Sequence, residues 1–468
     1  MTMVRSSEIM ANVPNDRLKL IFIIFFINGI GTLLPWNMLI NADKYFVSYK
    51  LNVTDSTPAV DNYRNSFLSY LGIASKAPNI LLQIINMFIG AHGVGNLAHR
   101  ITYSLVAQIL VFIFIIAMAI IDSSSWPSIF FWLTMMSAVA INLANGIYQG
   151  CVYGLAARFP MKYTNSVTMG MNVSGTIAAI LMIISIALSP KENVEALIFF
   201  SCAIIILFIC LIGQFFVNKN EFYRFYAIPS MMNSNLNLIK SINACPSCFE
   251  KGHSETSNNN CPHLGRALER SVSYNGKSSH DKQPLIESKM QQYLQVLRSI
   301  WMLLINILLI YVVSLSLFPT VHARIVPRDN IISHVYFSPV FCFLSFNLFA
   351  TMGNLIAQYI QWPGPRHLII FSLIRLLFIP FFLYCNYYPG DGLHRSLPVI
   401  FDHDWMYIIG SITMAVSSGY FSSLCMMYAP KCVPSHLATI SGQMAALTIL
   451  LGILIGINIS LIYPYLVG

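Results

Sequence analysis

The sequence predicts an all-α polytopic membrane protein, and three observations carry that expectation. Of its 468 residues, 56% are hydrophobic and only 10% charged, where a soluble chain carries about 25% charged residues. Runs of about 20 apolar residues, the length that crosses a hydrocarbon core, recur from one end of the chain to the other. The net charge of +9 comes from Lys and Arg in the polar stretches between those runs. That is the pattern of positively charged cytoplasmic loops and not of a nucleic-acid surface.

Eleven spans are expected, at roughly 18–40, 67–90, 101–121, 129–155, 167–188, 196–217, 299–319, 336–361, 367–388, 405–429 and 437–466. They divide the chain into a cytoplasmic N-terminus (1–17), a six-helix bundle (18–217), a cytoplasmic, mostly disordered loop (218–298) and a five-helix bundle (299–468). The first run is too long for a cleaved signal peptide and stays as span one. The loop between the bundles is rich in Ser, Asn and Lys and shows no helical apolar period. Placing the N-terminus in the cytoplasm puts most Lys and Arg inside, including all those of 218–298, with Lys76 near the boundary on the other side. The C-terminus then lies outside. Asn52-Val53-Thr54, a glycosylation sequon after span one, falls on the outer side as that orientation requires. The plasma membrane is the expected location.

The long loop holds Cys245, Cys248, Cys261 and His263, ligand types that zinc takes. Their second half lacks the paired spacing of a zinc finger, so scattered thiols in a flexible loop are the simpler reading. Asp281, Leu285 and Ile286 form an acidic dileucine-like pattern that an adaptor protein would read, directing the chain to an endolysosomal membrane instead. The ten Cys show no extracellular framework, and no disulfide is expected.

Polar residues recur inside the spans at helical spacing. Span two has Asn79, Gln83, Asn86 and Gly90; span four has Asn142, Asn145, Gln149 and Tyr153; span eight has Asn347, Thr351, Asn354, Gln358 and Gln361. Each set falls on one helix face. One amide in a span is ordinary glue between helices, but three full stripes point to a shared aqueous path. Beside the span-four stripe, Gly146, Gly150 and Gly154 make a small-residue packing seam, which Gly170, Ser174 and Ala178 of span five are suited to meet. Gly452, Gly456 and Ser460 repeat the device in the last span.

No span has an Asp or Glu in its interior. Carriers driven by protons or sodium generally place carboxylates at mid-membrane, so a passive carrier of a neutral, hydrogen-bonding solute is expected. A nucleoside fits, and so does a hexose. Arg375, inside span nine without an acidic partner, is expected to hold backbone carbonyls or a loop at the cytoplasmic gate. No nucleophile–base pair, metal triad or phosphate-binding glycine loop is found, so neither an enzyme nor a cofactor is expected.

The stretch 29–46, GIGTLLPWNMLINADKYF, joins small residues, a mid-span proline, an indole and an amide. With Gln149-Gly150, Phe318-Pro319, Phe346-Asn347, Trp362-Pro363-Gly364, Arg375-Leu376, Gly419-Tyr420 and Ala429-Pro430-Lys431 in this order, the chain resembles the equilibrative nucleoside transporters over nearly all its membrane part. The resemblance implies a major-facilitator-like fold of eleven helices in two bundles, six and five, with a central site, alternating access and nucleoside or nucleobase solutes. It implies that Leu33, Trp36 and Asn37 touch the solute, that Gln149 bonds the base, and that Phe343 and Asn347 line the site. The family's span-eight Asp and Arg, which help bind the sugar and gate the path, are here Ala350 and Asn354. Losing both charges together is electrostatically coherent and leaves Asn354 as a weaker sugar contact. The alternatives are a divergent member moving nucleobases or another small polar solute, and a non-transporting sensor or scaffold of the same fold.

Overall fold

A computed structural model describes residues 14–42, 45–52, 58–65, 67–89, 94–188, 191–227, 285–329, 331–389 and 395–468. Helix α1, Leu20–Asn41, carries Pro35 in its interior. Asp16 caps its start: the carboxylate accepts the Ile21 and Phe22 N–H groups at 3.0 and 3.1 Å, donors that a helix N-terminus otherwise leaves unpaired. The Tyr163 hydroxyl donates to the same carboxylate at 3.0 Å. The chain continues through α2 (Phe67–Ile89), α3 (Val94–Ile120), α4 (Pro127–Ala156), α5 (Met161–Leu188) and α6 (Glu192–Val217). After a short helix, Glu221–Ala227, come α7 (Leu285–Leu317), α8 (His334–Tyr359), α9 (Leu368–Leu383), α10 (Asp404–Tyr428) and α11 (Ala438–Ser460).

Among the described residues nine helices are long and apolar enough to cross a membrane: α1, α3 to α8, α10 and α11. Helix α2 falls short because Lys76, Asn79, Gln83 and Asn86 interrupt its apolar sequence, and α9 because it is short.

Several expected boundaries move: α3 begins at Val94 and not 101, α5 at Met161 and not 167, and α11 ends at Ser460 and not 466. Residues 285–298, assigned to the disordered loop, extend α7 as helix. Polar side chains hide a regular seam there, for Tyr293, Val296, Ile300, Leu303, Ile307 and Ile310 are all buried at alternating three- and four-residue steps. Span nine, expected to reach 388, ends at Leu383. The next residues run extended because Val326 N–H donates to Asn386 O and Tyr388 N–H to Arg324 O, each at 3.0 Å. Cys245, Cys248, Cys261, His263 and Asp281 lie outside the described residues.

Helix pairing repeats with a shift of six. Helix α1 packs on α5 as α7 packs on α11, and α2 packs on α4 as α8 packs on α10. The two sets meet where α4 and α2 face α11, and where α5 faces α8 and α10. Lipid offers no hydrophobic incentive for such pairing, so close approach and dispersion supply it. Small residues sit where the backbones cross. The seam Gly146, Gly150 and Gly154 does not meet span five as expected. A Cβ at Gly146 would strike the Asn79 carbonyl of α2, one at Gly150 would touch Asn86 and Gln83, and one at Gly154 would press on Gln443 of α11. Gly170 of α5 packs against Phe26 and Ile30 of α1 instead. Gly452 and Gly456 pack on α7.

Candidate functional site

Between the two helix sets lies a cavity of about 210 Å³. From α1 it is lined by Leu33, Trp36, Asn37, Ile40 and Asn41, positions three or one apart that put a single half-buried stripe toward it. From α8 come Phe343, Phe346 and Asn347, and from α5 Asn172 and Gly175. Helix α7 and the residues after it add Tyr311, Leu315 and Phe318; α10 adds Ser418 and Ser422.

The walls are fixed by their own bonds. Asn37 Nδ2 donates to Ser174 Oγ at 3.2 Å, tying α1 to α5. Asn347 Nδ2 donates to the Phe343 carbonyl at 2.8 Å, and its side chain lies against Gly175, where any Cβ would collide with it. Phe318 stacks on Phe346 with centroids 4.2 Å apart and meets Phe343 edge-on at 5.7 Å. This gives an aromatic wall opposite the amides of α1. Phe343 stands on a π-helical segment, Ser338–Leu344, a local widening often found at functional sites.

Five of the seven expected contact residues, Leu33, Trp36, Asn37, Phe343 and Asn347, therefore come together around one space. Gln149 and Asn354 do not line it. Gln149 is buried on α4. Asn354 is fully buried on α8, its carbonyl accepting from Asn165 Nδ2 at 2.9 Å and its Oδ1 from Ser423 Oγ at 2.9 Å. Ala350 is buried one turn away, its carbonyl against Gly419 of α10.

The stripes of spans two and four face each other and not a water path. Asn79 Nδ2 reaches Asn142 Oδ1 and Asn86 Nδ2 reaches Cys151 Sγ of α4, each at 3.5 Å, Asn86 Oδ1 accepts from Arg100 of α3 at 3.0 Å, and all six amides of the two stripes are buried. They hold α2 to α4. Arg375 holds a backbone carbonyl, one of its two expected roles, and among the described residues it binds helices and not a loop. Its Nη1 donates to the Met414 carbonyl at 3.0 Å and to the Ser417 hydroxyl, and its Nη2 to Ser314 Oγ at 2.7 Å, so it joins α9 to α10 and α7 in mid-helix.

Sequence reasoning missed Lys76, placed there near a span boundary. Its Nζ stands 4.4 Å above the Trp36 ring centroid, and its side chain lines the cavity. The signal was present, because 76 extends the rhythm of 79, 83 and 86 by one more helical step.

Apolar helices in two sets of repeated pairing, with a mixed aromatic and amide cavity between them, make a polytopic membrane fold of the major-facilitator type. A proton:xylose symporter of the major facilitator superfamily, XylE, superposes with a TM-score of 0.58 at 9% identity, covering 96% of this chain and 88% of that one. Residues 135–464 match the family model described as Nucleoside transporter. Human equilibrative nucleoside transporter 1 is 31% identical, with 97% of this chain and 99% of the relative covered. Mouse equilibrative nucleoside transporter 2 is 27% identical over the same shares. The chain belongs to the equilibrative nucleoside transporter family.

Proposed function

We propose that this protein carries nucleosides across a membrane by facilitated diffusion, its two helix sets exposing the central cavity to each side in turn. The observation that carries the proposal is the cavity itself. In a member of this family, Leu33, Trp36 and Asn37 of α1 converge with Phe343 and Asn347 of α8, supplying aromatic faces for a base and amides for hydroxyls. No carboxylate is among the described residues lining it, which favours equilibration over ion-driven accumulation. Gln149 is assigned to the base once α4 moves relative to α11. Asn354, a neutral amide where a charge pair is expected, gives a weaker sugar contact.

Eleven spans in bundles of six and five, with the N-terminus cytoplasmic and the C-terminus outside, complete the proposal, and the six-helix shift in pairing supports it. The plasma membrane is the assigned location. Radiolabelled uptake into proteoliposomes tests the function, comparing uridine, adenosine, adenine and glucose. Saturable entry of both nucleosides to equilibrium is expected, with Gln149→Ala raising KM. Uphill accumulation under a proton gradient would exclude the passive mechanism. Entry of adenine alone would move the solute class to nucleobases.

A further inference from the structure

Lys76 is the one charged side chain among the described residues that line the cavity. It lies nine residues into α2, about 13 Å along the axis at 1.5 Å per residue. Among the described residues no carboxylate stands within ion-pair distance of it. The Trp36 face, 4.4 Å away, holds the ammonium. A cation–π contact stabilises a desolvated cation but does not neutralise it, and the ammonium has three N–H donors. A half-buried charge with no counter-ion is costly, and a passing neutral solute can accept its hydrogen bonds but cannot neutralise it. A monoanion does.

We propose that Lys76 makes the cavity selective for nucleosides whose base is a ring anion near neutral pH, such as a dioxopurine that has lost an imide proton, over neutral bases of the same shape. The inference rests on the nucleoside proposal above and names the solute class of that same site. The walls favour a flat ring, since Trp36, Phe343 and Phe346 line them, while a single ammonium is a point charge. A phosphate dianion asks for several convergent donors, and the cavity offers one cation. The bland alternative, a lysine reaching for the membrane surface along its stem, does not account for an ammonium seated over an indole in the second half of α1.

The test is equilibrium binding at pH 7.5 to the full-length protein in lipid nanodiscs, comparing xanthosine, whose base is an anion at that pH, with inosine, whose base is neutral. The wild type is expected to bind xanthosine at least tenfold more tightly, a difference of about 1.4 kcal/mol. Lys76→Met should bring the two within twofold, and Lys76→Arg should keep the preference. Lys76→Gln replaces the Met variant if that protein is not monodisperse. Equal binding by the wild type, no binding of either nucleoside, or a preference that survives loss of the charge would overturn the inference. So would tighter binding of a 5′-monophosphate than of xanthosine. Uridine flux into proteoliposomes, measured alongside, separates the two proposals. Flux without charge preference removes this inference alone, and charge preference without flux removes the carrier function alone.

Discussion

Arg375 reaches the cavity wall through Ser314: Nη2 donates to Ser314 Oγ at 2.7 Å, and that hydroxyl lies 2.9 Å from Ser418 Oγ, which lines the cavity. The guanidinium thus sets where α7 and α10 sit relative to each other. Arg375→Met leaves Ser314 its bond to the Ile310 carbonyl and Ser417 its bond to Met414 O, so no hydroxyl is stranded. The expected cost is the loss of the charged bonds, about 2 kcal/mol, read as a lowered unfolding temperature in detergent. Arg375→Lys should recover little, since an ammonium cannot span both helices as the planar fork does. Full recovery by Lys would show that charge alone matters there.

Two glycine substitutions should move stability in opposite directions. A Cβ at Gly419 would overlap the Ala350 carbonyl oxygen, so Gly419→Ala forces α8 and α10 apart at a cost of about 3 kcal/mol. A Cβ at Gly72 meets nothing within 4 Å, and Gly72→Ala should stabilise α2 by up to about 1 kcal/mol through helix propensity. Thermal unfolding of the two variants side by side decides the matter. Equal melting temperatures would mean that α8 and α10 are not in close register.

Arg158 ties the helix sets together at one end. Its Nε donates to Thr439 Oγ1 of α11 at 2.5 Å, and its Nη1 to the Ala227 carbonyl at 3.1 Å. Arg158→Ala should speed amide hydrogen exchange over 438–443 at least tenfold, about 1.4 kcal/mol. Unchanged exchange would leave the closure to helix packing alone.

Asn52 is exposed at the outer end of the proposed topology. Asn52→Gln should abolish a glycan-dependent mobility shift in a glycosylating host. If the wild type shows no such shift, the N-in orientation loses its independent support.

The fold was legible where its signal is periodic and apolar. Runs of about 20 hydrophobic residues fix nine of the helices, and the α1 motif foretells which of its side chains meet the cavity. Polarity misled in both directions. Glu287, Gln291, Gln292, Gln295 and Arg298 masked the helical start of α7, though Tyr293 and Val296 keep its seam. The amides of α2 and α4 promised a water path, yet they lie buried where the two helices meet, joined by one long bond from Asn79 to Asn142. A stripe states that one face of a helix is polar, and only the neighbour's position tells whether that face meets solute or another amide. Lys76 was overlooked for the same reason, because its partner Trp36 lies 40 residues back and on another helix.

Among the described residues, side-chain ties that cross between the two helix sets gather at one end of the molecule. Arg158 meets Thr439, Asn165 meets the Asn354 carbonyl, and the Tyr293 hydroxyl donates to Met87 O at 2.7 Å. The cavity sits toward the opposite end, among the last residues of α1 and the turn after α7. Pharmacology of this protein should therefore be sided. A competitor arriving from the Asn41 face finds a formed chamber, while one arriving from the Arg158 face must first break three bonds. In right-side-out and inside-out vesicles, the same inhibitor should show different onset rates.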